Sequence, residues 1–227
     1  MDSSTVLNEI SQQVSVCQLC DLHLNRKKSV PGEGPSDAEI MLIGEGPGFY
    51  ENEQGRPFVG AAGKFLSELL GKVDLKREDV FITNVVKCRP PDNRDPMPEE
   101  LTSCRAYLEQ QIEAIDPQII VTLGRFSMAV FLPLVKIGAV HGQTRLVKGK
   151  IIVPMYHPAA ALHQPLLRPT IEKDFSNLKE TLRKVREARQ PQKPVAPLQP
   201  DFESVKNDHQ SDGKSSSNDA PEQMKLF

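Results

Sequence analysis

Four cysteines account for all the cysteine in this 227-residue chain, and their spacing is typical of a metal centre. Cys17 and Cys20 form a CxxC pair, and Cys88 and Cys104 follow with 15 residues between them. Four thiolates can hold zinc or an iron–sulfur cluster; two disulfides or separate buried thiols are the alternatives. Because four protein ligands leave no open coordination position, we expect a structural role that joins the N-terminal segment to a later loop.

A glycine-rich stretch, GEGPGFYENEQGRPFVGAAGKF at residues 44–65, is a second candidate site. It suggests a phosphate-binding loop, a structural turn or one wall of a catalytic pocket. A P-loop needs a Lys-Ser or Lys-Thr pair, which this stretch lacks. Its Glu45 could stabilise positive charge that develops on a substrate.

The elements that must position these residues are predicted by four apolar runs rich in β-branched residues. The runs are EIMLI (39–43), VFITNVV (80–86), QIIVTL (118–123) and KIIVPM (150–155), with helical patterns between them. Strands buried on both faces and separated by helices predict a mainly parallel, four-stranded sheet in a three-layer α/β/α sandwich. A final helix over about 170–188 should pack on the outside through Ile171, Phe175, Leu178, Leu182 and Val185.

The polar and glycine-rich motifs fall at the carboxyl ends of these strands. The ends are Gly44 onward, Asn84 to Pro91, Gly124 onward and His157 to Leu162. Ligands of open α/β sheets bind beyond the carboxyl ends of the strands, and a buried amide such as that of Asn84 needs partners. The sequence therefore predicts a single site at this edge.

Composition divides the chain near residue 190. Residues 1–189 read as the folded domain, residues 190–222 as a disordered linker and residues 223–227 as a separate short motif. The tail from residue 190 holds four of the 28 basic and six of the 30 acidic residues, which leaves 24 of each in the domain. A neutral domain has no overall field to steer it to nucleic acid, so DNA contacts would rest on a local patch. Without an 18-residue apolar run or a signal-peptide pattern, we expect a cytoplasmic protein with no membrane partner.

Taken in order, the motifs resemble the type-4 uracil-DNA glycosylases, the iron–sulfur branch of that superfamily. They are GEGPG (44–48), GRPFVGAAG (55–63), TNVVKCRPPDNRDP (83–96), HPAAAL (157–162) and the cysteine pattern. The resemblance implies a uracil-DNA glycosylase-like α/β/α fold, a [4Fe-4S] cluster on the four cysteines, and hydrolytic removal of uracil from DNA to start base-excision repair. The resemblance, and not the spacing, favours iron–sulfur over zinc.

The resemblance also assigns roles in catalysis and base binding. Glu45 and His157 are the implied catalytic residues: Glu45 positions or activates water, and His157 donates a hydrogen bond to uracil O2. Asn84 reads O4 and N3–H of uracil, and Phe58 stacks on the flipped base. Glu51 lies near C5, where bulk excludes the methyl group of thymine; Tyr50 is a competitor for that role. The glycines, Gly44 and Gly46 among them, would let the backbone approach the base.

Contacts to the DNA outside the base pocket are expected from an apolar wedge and a set of basic residues. Leu162, in the loop that resembles the minor-groove segment of the family, is the wedge that fills the vacated space. Candidate phosphate contacts are Lys87, Arg89, Arg94 and Arg168.

The stretch QMKLF at residues 223–227 resembles the sliding-clamp-binding pentapeptide of bacteria. Gln223 starts the motif, Met224 is an acceptable second residue, and Leu226 and Phe227 would fill an apolar pocket, whereas Lys225 departs from the usual third residue. The expected partners are therefore uracil-containing DNA and a sliding clamp. We expect the enzyme itself to be a monomer that is associated with the nucleoid.

Three other functions remain open on the sequence. The first is a related glycosylase that acts on other deaminated bases. The second, from a different class, is a clamp-tethered DNA-binding module without activity, and the third is a phosphate-binding hydrolase. We expect a monofunctional enzyme that leaves the strand intact, because the family supplies no lysine nucleophile here.

Overall fold

The computed structural model describes residues 2–189, so the predicted linker and the 223–227 motif lie outside the described residues. The strands are β1 (Ile40–Gly44), β2 (Phe81–Asn84), β3 (Ile119–Leu123), β4 (Arg145–Val147) and β5 (Lys150–Met155). The helices are α1 (Ser3–Val16), α2 (Phe49–Gln54), α3 (Ala61–Gly71), α4 (Pro98–Ile115), α5 (Arg125–Phe131), α6 (Ile137–Val140), α7 (Pro158–His163) and α8 (Arg168–Arg189). None of the helices within these residues is both long and apolar enough to span a bilayer.

The sheet has the order β2-β1-β3-β5-β4, and every neighbouring pair is parallel except β4 with β5. The chain moves from β1 to β2 on one side and then crosses to β3 on the other. Such a reversal opens a crevice at the carboxyl ends of the strands, which is where ligands of this architecture bind. The predicted mainly parallel α/β fold is confirmed.

The fifth strand, β4, was not predicted. It is three residues long and largely exposed, and it is joined to β5 by the two residues Lys148 and Gly149, both with positive φ (48° and 78°). Two-residue turns with positive φ at both positions match the twist of a hairpin. An edge strand of three residues is too short to form an apolar run, so the hydrophobic pattern could not reveal it.

Alternate residues of each strand feed two separate cores, one on each face of the sheet. On one face, Leu42 and Val121 pack with α3 and with the buried residues Ile171, Phe175, Leu178 and Leu182 of α8. On the other face, Met41 and Ile120 pack with α4, and partly buried residues of α1 and α5 complete that layer. The predicted packing face of the last helix is confirmed, since Val185 also packs against the first core.

Candidate active site

A cavity of about 520 Å³ opens at the carboxyl ends of the parallel strands. Glu45 directly follows β1, Asn84 ends β2, and His157 lies two residues beyond β5. The structure brings seven of the predicted site residues to its wall: Glu45, Gly46, Glu51, Phe58, Asn84, Arg94 and His157. Residues that the sequence did not single out as site residues line it too, among them Asn93, Asp95 and Ala159. His163, which follows the wedge candidate, is a further lining residue.

Asn84 presents a buried amide to this cavity. Its side chain is 1% exposed, and its Oδ1 has no hydrogen-bond partner among the described residues. A Cβ on the neighbouring Gly44 would lie 2.4 Å from this oxygen and 2.7 Å from Cζ of Phe58. The absence of a side chain at Gly44 therefore leaves room for the side chains of Asn84 and Phe58. A buried acceptor without a donor is available to a ligand.

His157 is held as a neutral imidazole with a defined tautomer. It is the N-cap of α7, where its Nδ1 accepts a hydrogen bond from the Ala159 N–H at 3.1 Å. An acceptor Nδ1 leaves the proton of the neutral ring on Nε2. Burial lowers the pKa of His157 to about 4, although the Glu51 carboxylate acts in the opposite direction. At neutral pH the ring therefore offers one donor, Nε2–H.

Phe58 has an uncommon backbone conformation, with φ at 52°. Arg77 holds it there, because its guanidinium donates to the carbonyls of Phe58 (3.0 Å) and Pro57 (2.8 Å). Its ring stacks with the His157 ring, with centroids 5.5 Å apart and planes 26° apart. A positive φ at a bulky residue is strained and persists only where neighbours over-determine it. The backbone of Phe58 is thus held by Arg77, and its ring is held against His157, without a ligand.

Glu51 stabilises the same loop from the other side. Its Oε1 accepts hydrogen bonds from the Val59 N–H (2.9 Å) and from the N–H of Gly60 (3.0 Å), the N-cap residue of α3. Glu51 lines the cavity, whereas Tyr50 is 60% exposed and is not among the lining residues. Of the two candidates for thymine exclusion, Glu51 is the one beside the cavity.

Glu45 has the pKa expected of a group that exchanges protons near neutral pH. Burial raises its pKa to about 7; the negative charge of Asp95 adds to the rise and Arg125 opposes it. Asp95 and Arg125 form an ion pair with each other. The sequence assigned no role to either, although Asp95 belongs to the DNRDP motif and Arg125 follows Gly124 at the end of β3.

The four cysteines line one small cavity, which is separate from the cavity at the strand ends. All four are free thiols, so the disulfide alternative is wrong. Arg26 donates to the Cys88 Sγ at 3.5 Å, and the main-chain N–H of Lys87 donates to the Cys104 Sγ at 3.3 Å. Burial raises the pKa of Cys104 to about 11, so positive charge must balance the thiolates that a metal would need. Within residues 2–189, no three side chains of His, Cys, Asp or Glu converge as the ligands of one single metal ion.

The family of the chain follows from sequence comparison. A model of the uracil DNA glycosylase superfamily matches residues 31–186, which include the cavity and its strands. The chain belongs to this superfamily. Within it, the chain is 51% identical over 186 residues to the type-4 uracil-DNA glycosylase of Saccharolobus solfataricus, an alignment that covers 78% of this chain and 86% of the relative.

Other members of the superfamily refine this placement. The type-4 uracil-DNA glycosylase of Thermotoga maritima is 44% identical over 180 residues, 77% of this chain and 94% of the relative. The type-5 uracil-DNA glycosylase of Thermus thermophilus is 36% identical over 120 residues, 46% of this chain and 54% of the relative. The predicted resemblance to the type-4 branch is confirmed.

The candidate DNA contacts of this superfamily member differ in how available they are. Lys87 is 1% exposed, so its prediction as a phosphate contact is wrong. Arg94 is bound to both carboxylate oxygens of Glu100, at 2.9 and 2.6 Å, so only part of its charge faces the cavity. Leu162 is 48% exposed and precedes the lining residue His163, but it does not itself line the cavity.

The other two arginines also have partners within the domain. Arg168 pairs with Glu68 and Glu172, at 2.9 and 3.0 Å, and lies over the Phe65 ring. Arg89 donates to the Asn93 side chain at 2.8 Å and lies over the Phe49 ring. To contact a phosphate, Arg168 would therefore have to give up its bonds to two carboxylates. Arg89 would have to give up only its bond to the neutral side chain of Asn93.

Proposed function

We propose that this protein is a monofunctional uracil-DNA glycosylase that flips uracil out of DNA and hydrolyses its N-glycosidic bond. The observation that carries the proposal is the convergence of Glu45, Asn84 and His157 on one cavity in a chain similar to type-4 enzymes over most of its length. The product would be an abasic site, which starts base-excision repair. The scissile bond is shielded in stacked DNA, so the base must leave the helix before reaction.

The side chains of the cavity suit each part of this reaction. The free Oδ1 of Asn84 accepts N3–H of uracil and its amide group donates to O4, a pattern that cytosine presents in reverse. The fixed ring of Phe58 stacks on the base. The Nε2–H of His157 donates to O2 and stabilises the leaving uracil anion, which a neutral imidazole does without giving up its proton.

Two carboxylates act on the sugar side and at the edge of the base. Glu45 in its ionised form orients or activates water and stabilises positive charge on the sugar. Glu51 restricts the space near C5 and so disfavours the methyl group of thymine, while its bonds to the Phe58 loop keep its position constant. Leu162 enters the space that the base leaves, and Arg89, Arg94 and Arg168 contact phosphates.

The test is release of uracil from labelled oligonucleotides that carry one uracil, single-stranded or paired, with thymine and cytosine oligonucleotides as matched controls. We expect base release from the uracil strands, with strand scission only after alkali, because the enzyme leaves the backbone intact. Retained DNA binding without release would instead identify a binding module. Release of hypoxanthine in preference to uracil would identify the related glycosylase activity.

We further propose that Cys17, Cys20, Cys88 and Cys104 hold a [4Fe-4S] cluster. Four free thiols around one cavity, with donors from Arg26 and the Lys87 main chain directed at two sulfurs, fit a cluster whose charge is negative. When bound, the cluster would supply structural bracing between the N-terminal segment and the loop that carries Cys88. The chemistry of uracil excision does not pass through it.

Purified protein is expected to be brown, with about four iron and four sulfide per chain. Cys104→Ser should lose most of the iron, because an alcohol is a poor ligand for iron in such clusters. Ser103→Ala is the matched control, since Ser103 lines the same cavity without a thiol, and it should keep its iron. A colourless protein that contains zinc would overturn the cofactor assignment.

Besides DNA, we propose a bacterial sliding clamp as a partner. It would bind Gln223, Met224, Leu226 and Phe227, which lie outside the described residues. A linker of residues 190–222 would hold the enzyme at high effective concentration near clamp-loaded DNA. Replacing both Leu226 and Phe227 with alanine should abolish capture by a bacterial clamp, with Lys225→Ala as the control. Uracil release from short oligonucleotides should not change. Undiminished capture by the double variant would reject the motif.

A further inference from the structure

Lys87 is a buried lysine that the proposed reaction does not use. It is 1% exposed, and its Nζ donates to Thr83 Oγ1 at 2.6 Å, to the Asn84 carbonyl at 2.8 Å and to Gln111 Oε1 at 2.7 Å. An ammonium has three hydrogens, and three oxygen atoms accept them. None of these three partners is a carboxylate, so the hydrogen bonds that hold the ammonium include no ion pair to offset the cost of burying its charge. This cost indicates that the ammonium is retained because it positions neighbouring groups, and not because it stabilises the fold.

The partners of Lys87 are themselves fixed. Thr83 Oγ1 donates to the Pro31 carbonyl at 2.9 Å, and Gln111 Nε2 donates to the same carbonyl at 2.7 Å. Both side chains are fully buried, with 0% and 1% exposure. The ammonium therefore has a rigid cradle, and its bond to the Asn84 carbonyl can constrain that residue.

Asn84 needs such a constraint. Its Oδ1 has no partner among the described residues, so no hydrogen bond to that oxygen fixes the amide. β2 ends at Asn84, and the peptide that joins Asn84 to Val85 is held on one side, where the Val85 N–H donates to the Gly44 carbonyl at 3.1 Å. The bond from the Lys87 ammonium to the Asn84 carbonyl holds the other polar group of this peptide. With both groups held, the direction in which the Asn84 side chain leaves the backbone is fixed.

The main chain of Lys87 faces the cysteines. Its N–H donates to the Cys104 Sγ, its carbonyl accepts from the Val30 N–H at 2.8 Å, and Cys88 follows it directly. We propose that Lys87 is a positioning residue for Asn84. Through its main chain and its side chain, Lys87 connects the segment that carries the cysteines to the base-reading amide of Asn84. This inference rests on the proposed uracil excision, in which Asn84 reads the base.

A double-mutant cycle between Lys87→Met and Asn84→Ala tests the proposal, because methionine keeps most of the length of the side chain and removes its three donors. Alone, Lys87→Met is expected to lower kcat for uracil release about tenfold or more, with KM within about twofold. In the Asn84→Ala background the same change should have less than about a twofold effect, since Lys87 acts through Asn84. Lys184→Met, an exposed lysine of α8, is the matched control and should match wild type.

A loss in the Asn84→Ala background equal to that in wild type, or no loss in either, would overturn the proposal, because a residue that only supports the core acts independently of Asn84. If Lys87→Met does not fold or loses iron, Thr83→Val removes one acceptor with nearly the same shape. The same cycle with Thr83→Val should show a smaller loss that again vanishes with Asn84→Ala. Absence of uracil release by wild type in this assay would reject the proposed function itself, so the two failures are distinct.

Discussion

Replacing His157 with alanine is expected to lower kcat for uracil release by about 10²- to 10³-fold, the usual cost of removing one donor to a developing anion. The reason lies in the hydrogen bond from Ala159 to Nδ1, which leaves Nε2 as the donor of a neutral ring. Affinity for uracil-containing DNA should change much less, because the donor acts most strongly when charge develops on O2. Single-turnover rates and a separate binding measurement distinguish the two effects.

The pH dependence of this variant identifies the charge state of the imidazole. Because burial lowers the pKa of His157 to about 4, the ring is neutral over the whole pH range of the assay. The ratio of wild-type to variant rates should therefore be constant from about pH 5 to pH 9. A ratio that falls towards one at high pH would show that an imidazolium acts instead. His163→Ala, at the exposed end of α7, is the comparison within the same helix and should lose far less.

The sequence predicted the parts of the site that depend on strand ends. Residues that follow buried parallel strands must meet at one edge, and Glu45, Asn84 and His157 do meet there. The packing of the last helix, α8, was predictable for a similar reason, since the spacing of the apolar residues Ile171, Phe175 and Leu178 already specified its buried face. In both cases the spacing of apolar residues along the strand or helix, together with the order of these elements in the chain, determines which residues come together.

Other features depend on contacts between segments far apart in the chain. Lys87 lies between Val86 and Cys88 in a polar motif and reads as a surface residue, but Gln111 and Pro31 provide the buried cradle that encloses it. The role of Arg77 likewise depends on the carbonyl of Phe58, 19 residues away. Local spacing carries no information about such partners, so a single sequence could not reveal them.

The same limit applies to the acidity of Glu45. Its position after β1 was evident, but its pKa depends on burial and on the Asp95–Arg125 pair, which joins the loop after β2 to the start of α5. The three residues belong to three separate segments that the sheet brings to one edge. The charge of the candidate water-activating residue is therefore a property of the fold and not of the GEGPG motif.

Glu45→Gln is expected to lower kcat by about 10²- to 10⁴-fold, the range for loss of a general base. In wild type, kcat should rise with pH through an inflection near 7, because the carboxylate becomes active as it loses its proton. Asp95→Asn removes a negative charge and should move the inflection to lower pH. Arg125→Met removes a positive charge and leaves Asp95 without its ion pair, so it should move the inflection to higher pH.

Opposite shifts from the two partners of one ion pair are a stringent criterion, because a general loss of stability would move both profiles in the same direction or lower both rates without moving either. The rates must be measured under single-turnover conditions so that product release does not hide the ionisation. An inflection that stays in place in both variants would mean that Glu45 is not the group that titrates. An inflection that survives in Glu45→Gln would assign the titration to another residue of the cavity.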